Sequence, residues 1–256
     1  MSSPTLTGWS TIDVAGHTCD LFQPTAVAAA ERCLIFLHDL RGRPPKDLPA
    51  LRTALESSGL PVLAPRTGRS WWLQHRVDRF ARQTTPEAFL LGPVMDACRT
   101  RFAAGDGGVG LIGVEMGGQG ALRLAYRHPS RFPAAAAIEP AIDFQLGMRH
   151  GHDWEDGELF DTLWEIFTDV EQARQETAIL HVHPLNWPRQ QWFASSPDDL
   201  RWHDGSQRLH SKLVALGIPH TAVLDQPGDL LTSAATSEAA VAFVLQALES
   251  ESRRVG

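Results

Sequence analysis

Short apolar runs alternate with helix-length segments from about Arg32 to Leu248. Residues 33–37, Cys-Leu-Ile-Phe-Leu, form an uninterrupted apolar run with the length of a strand buried on both faces. Residues 48–58 carry Leu48, Leu51 and Leu55 at helical spacing and stop at Gly59. A second short strand is predicted over 61–65. A helix is predicted over 86–102, with Phe89, Leu90, Val94, Ala97 and Cys98 on one face. The apolar run 109–112 and the helix-compatible run 121–127 follow. Residues 134–138, mostly alanine, are bounded by Pro133 and Pro140 as a buried strand would be. Residues 178–182 and 191–194 are read as two further strands, 209–216 as a helix ended by Gly217, 220–224 as the last strand and 237–248 as a closing amphipathic helix. Near the start, residues 9–22 are read as a strand pair.

This order predicts an α/β protein with a mostly parallel sheet and helices on both faces, in one domain spanning 1–256. Residues 144–164 break the rhythm. They are rich in polar and aromatic side chains, including His150, His152, Asp153, Trp154, Glu155 and Asp156. The segment is expected to be an insertion over the carboxyl edge of the sheet, where ligands bind in such folds.

The densest chemical signal is Gly113-Val114-Glu115-Met116-Gly117-Gly118-Gln119-Gly120. An apolar strand leads in and a helix leads out, the setting in which G-x-S-x-G displays a reactive side chain on a sharp turn. Glycines two residues before and after the central position give a strained backbone room. Here the displayed residue is Glu115.

Composition narrows the function classes. The chain is 43% hydrophobic and 21% charged, ordinary globular material, and its net charge of −7 with no basic run excludes a general nucleic-acid binder. Cys19, Cys33 and Cys98 are widely spaced, so reduced core thiols are expected rather than a disulfide framework. No secretory pattern opens the chain, and its apolar runs fall short of the roughly 20 residues of a membrane span. A soluble cytoplasmic protein without cofactor, metal or membrane partner is the expectation, and no oligomeric state is readable.

On these residues the chain resembles the α/β-hydrolase superfamily, and within it the esterase D-like group that includes S-formylglutathione hydrolases. The likeness runs from about residue 33 to 248. It is strongest over 113–132, similar to that group's G-x-S-M-G-G-x-G-A-L stretch with a following P-x-x-F, here Pro129-Ser130-Arg131-Phe132. The Ser70-Trp71-Trp72 segment is similar to the group's loop after an early strand. Asp198-Asp199, residues 209–220 and Gln226-Pro227-Gly228 match its acid, helix, final strand and approach to the histidine loop.

Two departures govern what the resemblance implies. Glu115 stands where the group has its serine. Asp229 and Leu230 stand where its histidine is due, and no histidine follows His220. The triad-equivalent positions are therefore Glu115, Asp199 and Asp229, of which the resemblance retains only the acid, Asp199. A serine triad needs a hydroxyl, an imidazole to take its proton and an acid to orient that imidazole, so ordinary serine-esterase chemistry is not expected. The expected function is a non-catalytic homologue that binds a small molecule or a partner. The alternative is an active hydrolase of esters or related bonds using Glu115 as nucleophile or general base.

Ligand-lining residues are expected from the carboxyl-end loops. They are His38 and Asp39 at the oxyanion-loop position, Arg66, Arg69, Trp71 and Trp72 after the second of the parallel strands, Met116 beside the elbow, and His150 and His152 in the insertion. Glu115 is expected to lie near Asp229 and Asp199 and to bond helix-start amides or pair with His38, Arg66 or Arg69. Two weaker patterns remain. His181-Val182-His183 would place both rings on one strand face. Gly105-Asp106-Gly107-Gly108-Val109-Gly110 satisfies G-x-G-x-x-G but precedes its strand, so no dinucleotide site is assigned.

Overall fold

The computed structural model describes residues 8–25, 31–154 and 156–255, apart from the side chains of His152 and Val255. Its strands are β1 (Gly8–Val14), β2 (His17–Gln23), β3 (Cys33–Leu37), β4 (Val62–Pro65), β5 (Val109–Val114), β6 (Ala134–Ile138), β7 (Gln190–Ala194) and β8 (Thr221–Val223). They form one sheet in the order β1-β2-β4-β3-β5-β6-β7-β8. β2 pairs antiparallel with β1 and β4, and every other pair is parallel. The helices are α1 (Pro49–Ser57), α2 (Pro86–Phe89), α3 (Met95–Phe102), α4 (Met116–Arg127), α5 (Leu146–His150), α6 (Asp161–Ile166), α7 (Val170–Gln175), α8 (Ala178–His181), α9 (His203–Ala215) and α10 (Ala234–Val255).

Alternation along β5 divides the core. Leu111 joins one apolar cluster, and Ile112 and Val114 join the other on the opposite face. Small residues let the helices approach. A Cβ on Gly110 would lie 2.3 Å from Val244 of α10, and one on Gly118 would lie 3.3 Å from Ala137 of β6. The three cysteines are buried free thiols.

The register aligns the carboxyl ends of the central strands. Leu37 pairs with Gly113, Val114 with Ile138, and Ile138 with Ala194. The next residues, Glu115, Glu139 and Ser195, therefore leave the sheet side by side, with His38 level with Val114.

Three local expectations change. Residues 178–182 hold the short helix α8 rather than a strand, packed against α4, with the Ala178 amide donating to Gln119 Oε1 at 2.7 Å. A short apolar run does not distinguish strand from buried helix, and β7 already occupies the place between β6 and β8. The rings of His181 and His183 consequently do not share a strand face. His181 lies 3.8 Å from Glu176, and the exposed His183 accepts from the Leu185 amide. Finally, the helical run 86–102 opens into a π turn over Leu90–Val94, where Pro93 lacks an amide donor.

A buried ion network fixes α4, the helix that follows the elbow. The fully buried Arg123 guanidinium bonds Glu87 of α2 at 2.5 Å and also bonds Glu176 after α7. Glu87 further receives Arg127 at 2.9 Å and His128 at 3.0 Å. Burial alone would push Glu87 up, but His128, Arg123 and Arg127 hold its carboxyl below the usual range. Replacing one partner of such a network strands the others in a medium of low polarity. Arg123→Met should therefore lower the unfolding free energy by about 3–5 kcal/mol, read by urea denaturation. Loss of less than about 1 kcal/mol would contradict the role given to the network.

Candidate functional site

Close backbone contact builds the elbow. A Cβ on Gly113 would lie 2.0 Å from the Gly117 carbonyl oxygen, and one on Gly117 would lie 2.0 Å from that of Leu37. Both glycines are thus required for β3, β5 and the start of α4 to meet. The turn forces Glu115 to φ 45° and ψ −111°, a left-handed conformation that non-glycine residues rarely adopt. Its amide donates to Ile138 O at 3.0 Å, and its carbonyl accepts from Ala141 and Gln119, both at 3.0 Å. The side chain caps no helix amide, and among the described residues it has no hydrogen bond or ion pair.

The charges that act on Glu115 differ from those expected. Burial pushes its carboxyl from 4.5 up to about 7. Asp39 and Asp199 add to the rise, while Arg201 and Arg43 oppose it. Asp39 is fully buried, accepts from the Arg43 amide at 2.9 Å and is bridged by the Arg43 guanidinium. Arg201 bonds Asp156 of the 144–164 segment at 3.1 Å, and Asp156 also takes Arg41 at 2.7 Å. One carboxylate thus ties this segment to the loops after β3 and β7.

A second acid stands beside the first. Glu139 follows β6 as Glu115 follows β5, and it too has positive φ, 48°. Its oxygens accept from Ser195 Oγ at 2.9 Å and the Ser196 amide at 3.0 Å. Burial raises its carboxyl to about 7, the Ser196 amide opposes that rise, and the charge and hydrogen bond of Asp199 reinforce it. Sequence reasoning missed Glu139 because its position follows from the Val114–Ile138 register, which no local motif encodes.

The remaining predicted residues scatter. Asp229 is exposed and its Oδ1 accepts from the Leu231 amide at 2.9 Å, so the acidic neighbours of Glu115 are Asp39 and Asp199 instead. Asp199 Oδ1 accepts the Arg201 amide at 3.0 Å, and Asp198 holds the Gly228 amide at 2.8 Å. His38 turns away from Glu115. Its Nε2 accepts the Thr67 amide at 3.1 Å, its Nδ1 donates to Asp39 O at 2.9 Å, and burial lowers its pKa. Arg66 forms a two-pronged pair with Asp20 of β2 at 2.7 and 2.9 Å. Arg69 donates to Glu158 O at 3.1 Å and lines a cavity of about 240 Å³ with Arg41 and Arg79. His150 is exposed at the end of α5, and the side chain of His152 lies outside the described set.

Trp71, Trp72 and Met116 have no exposed surface and so line no open pocket. The Trp71 amide donates to the Met116 sulfur at 3.3 Å, and the Trp71 indole packs on Phe144 with centroids 4.9 Å apart. Gly120 completes the arrangement, since a Cβ there would lie 2.7 Å from Trp72. Among the described residues no cluster of three His, Cys, Asp or Glu side chains could hold a metal ion, and no helix is long and apolar enough to cross a membrane.

The strand order, the left-handed elbow between β5 and α4 and the loops gathered at the carboxyl edge define an α/β-hydrolase fold. The family model described as Putative esterase matches residues 52–243, and the chain belongs to that esterase family. Among solved structures, S-formylglutathione hydrolase from Agrobacterium tumefaciens superposes with a TM-score of 0.70 at 16% identity, over 100% of this chain and 99% of that one. The Staphylococcus aureus S-formylglutathione hydrolase gives 0.67 at 15% identity over 96% and 99%. A ferulic acid esterase gives 0.68 at 15% identity over 93% and 97%. Comparison with curated protein sequences gives no match.

The raised acid at the elbow has a stability consequence. A carboxyl that holds its proton more tightly when folded favours the folded state at low pH. That contribution is lost as pH rises from about 4.5 to about 7. Glu115→Gln should therefore raise the unfolding free energy near pH 8, by up to about 3 kcal/mol, and leave it nearly unchanged near pH 5. Urea titrations at the two pH values check this. A destabilising effect near pH 8 would mean that the charged carboxylate is held by a favourable partner.

Proposed function

We propose that this esterase-family chain lacks serine-hydrolase activity and acts by binding rather than by turning over an ester. The observation that carries this reading is the surroundings of Glu115. Its carboxyl meets no histidine among the described residues, and Trp71, Trp72 and Met116 are packed beside the elbow without exposed surface. A nucleophile or general base needs a proton relay within hydrogen-bond reach and a concave site for the reacting atom. Asp39 works in the same direction, because its buried carboxyl lies in the loop where an oxyanion would need donors.

One observation favours the carboxylate-dependent hydrolase. Burial brings both Glu115 and Glu139 to about 7, a value suited to acid–base work at neutral pH. In that reading Glu139 would take the acid–base role that an esterase histidine carries.

Turnover of short p-nitrophenyl esters separates the two. The chain and its Glu115→Ser variant should both be inactive, since no imidazole would activate the introduced hydroxyl. Ester hydrolysis by the unaltered chain that disappears in Glu115→Gln would establish the carboxylate-dependent enzyme instead.

A further inference from the structure

A wide cleft lies at the opposite edge of the sheet from Glu115. Its volume is about 1240 Å³, and its walls are the loops that enter β3, β5, β6 and β7 together with the last turns of α10. The unassigned G-x-G-x-x-G segment supplies part of its lining, as bare backbone at Gly105, Gly107 and Gly108. A Cβ on Gly108 would lie 2.3 Å from the Glu31 carbonyl oxygen, so that position admits no side chain. The amides of Gly107 and Gly108 are already given to Arg131 O and Gly105 O, at 3.2 and 3.1 Å. Anion recognition in this cleft therefore falls to side chains.

Those side chains run against the charge of the chain. In a protein of net charge −7, five arginines line this cleft (Arg32, Arg127, Arg131, Arg189 and Arg254) against three carboxylates, Glu31, Asp106 and Glu251. The carboxylates are divided among them. Glu251 serves Arg189 at 3.2 Å and Arg254 at 3.0 Å. Asp106 serves Arg99 at 3.0 Å and Arg131 at 3.7 Å. Arg127 shares Glu87 with the buried Arg123, and Arg32 has no ion-pair partner among the described residues. Arg131 also donates to Leu91 O at 3.0 Å, and arginines outnumber carboxylates at two places, on the loops entering β3 and β6 and beside the end of α10. Trp187, partly buried, adds a ring to the wall.

We propose that this cleft binds a small polyanion carrying two linked phosphate groups. Guanidinium forks match phosphate oxygens two at a time, and two arginine groups match two phosphates. The volume accommodates a ligand of nucleotide size. Trp187 offers a face to a planar ring attached to the diphosphate. The site involves neither Glu115 nor ester chemistry, so it stands or falls separately from the ester assays.

The test is calorimetric titration of the full chain with pyrophosphate and with ADP at low ionic strength. Both anions should bind, more weakly as salt is added. R32A/R131A and R189A/R254A should each weaken pyrophosphate by about tenfold or more. The two arms identify the source of the diphosphate. ADP binding tighter than pyrophosphate, with the advantage lost in Trp187→Ala, assigns a ring-bearing ligand. Equal affinities assign the free anion. Circular dichroism and melting curves confirm that the variants are folded; Arg189 and Arg254 are half-exposed. Absence of binding by either anion, or affinities unchanged in both double variants, would overturn the proposal.

Discussion

The contact between Gly117 and the carbonyl of Leu37 governs the centre of this molecule. Because the backbone of α4 must begin almost on top of β3, the intervening residue has one way to turn, and that way is left-handed. The same contact places whatever side chain occupies position 115 above the sheet, whether or not it can do chemistry. The elbow is therefore a property of packing. The framework and the chemistry of the side chain it displays are therefore separate questions.

Glu115 also shows how a carboxylate settles on a left-handed turn at the carboxyl edge of the sheet. Burial and the buried Asp39 charge act against ionisation, Arg43 and Arg201 act for it, and neither side supplies a direct bond. Glu139 is raised by burial as well, against the two donors from Ser195 and Ser196 that pull it down.

Much of the fold was legible in the alternation of apolar runs, because buried parallel strands such as 33–37 and 109–112 have few other homes. The N-terminal hairpin, the mostly parallel sheet and the elbow all follow from that pattern and from glycine spacing. The α8 segment was not legible, since four apolar residues satisfy either period and the choice was made by the crowding of β7 between its neighbours. The site was read less well. Trp71 and Trp72 were expected at a ligand surface, but aromatic side chains on a loop carry no signal of whether a segment such as 144–164 covers them. Arg66 and Arg69 were expected at Glu115, whereas Arg43 and Arg201 act there. Their roles depend on Asp39 and Asp156, partners joined by tertiary structure alone.

Consecutive tryptophans in the left-handed region give the space beside the elbow a particular kind of closure. Trp71 and Trp72 each have φ 55°, and each indole is wedged between backbone and other rings. A bulky side chain on an ordinary loop can swing aside by changing rotamer within nanoseconds. These two are held by the handedness of their own peptide planes and by the contact at Gly120, so opening the space requires the main chain itself to turn over. Loop rearrangements run from nanoseconds to microseconds, slower than the rotamer changes of exposed side chains. The packing beside the elbow is thus held by the main chain, while Glu115 itself keeps partial contact with solvent.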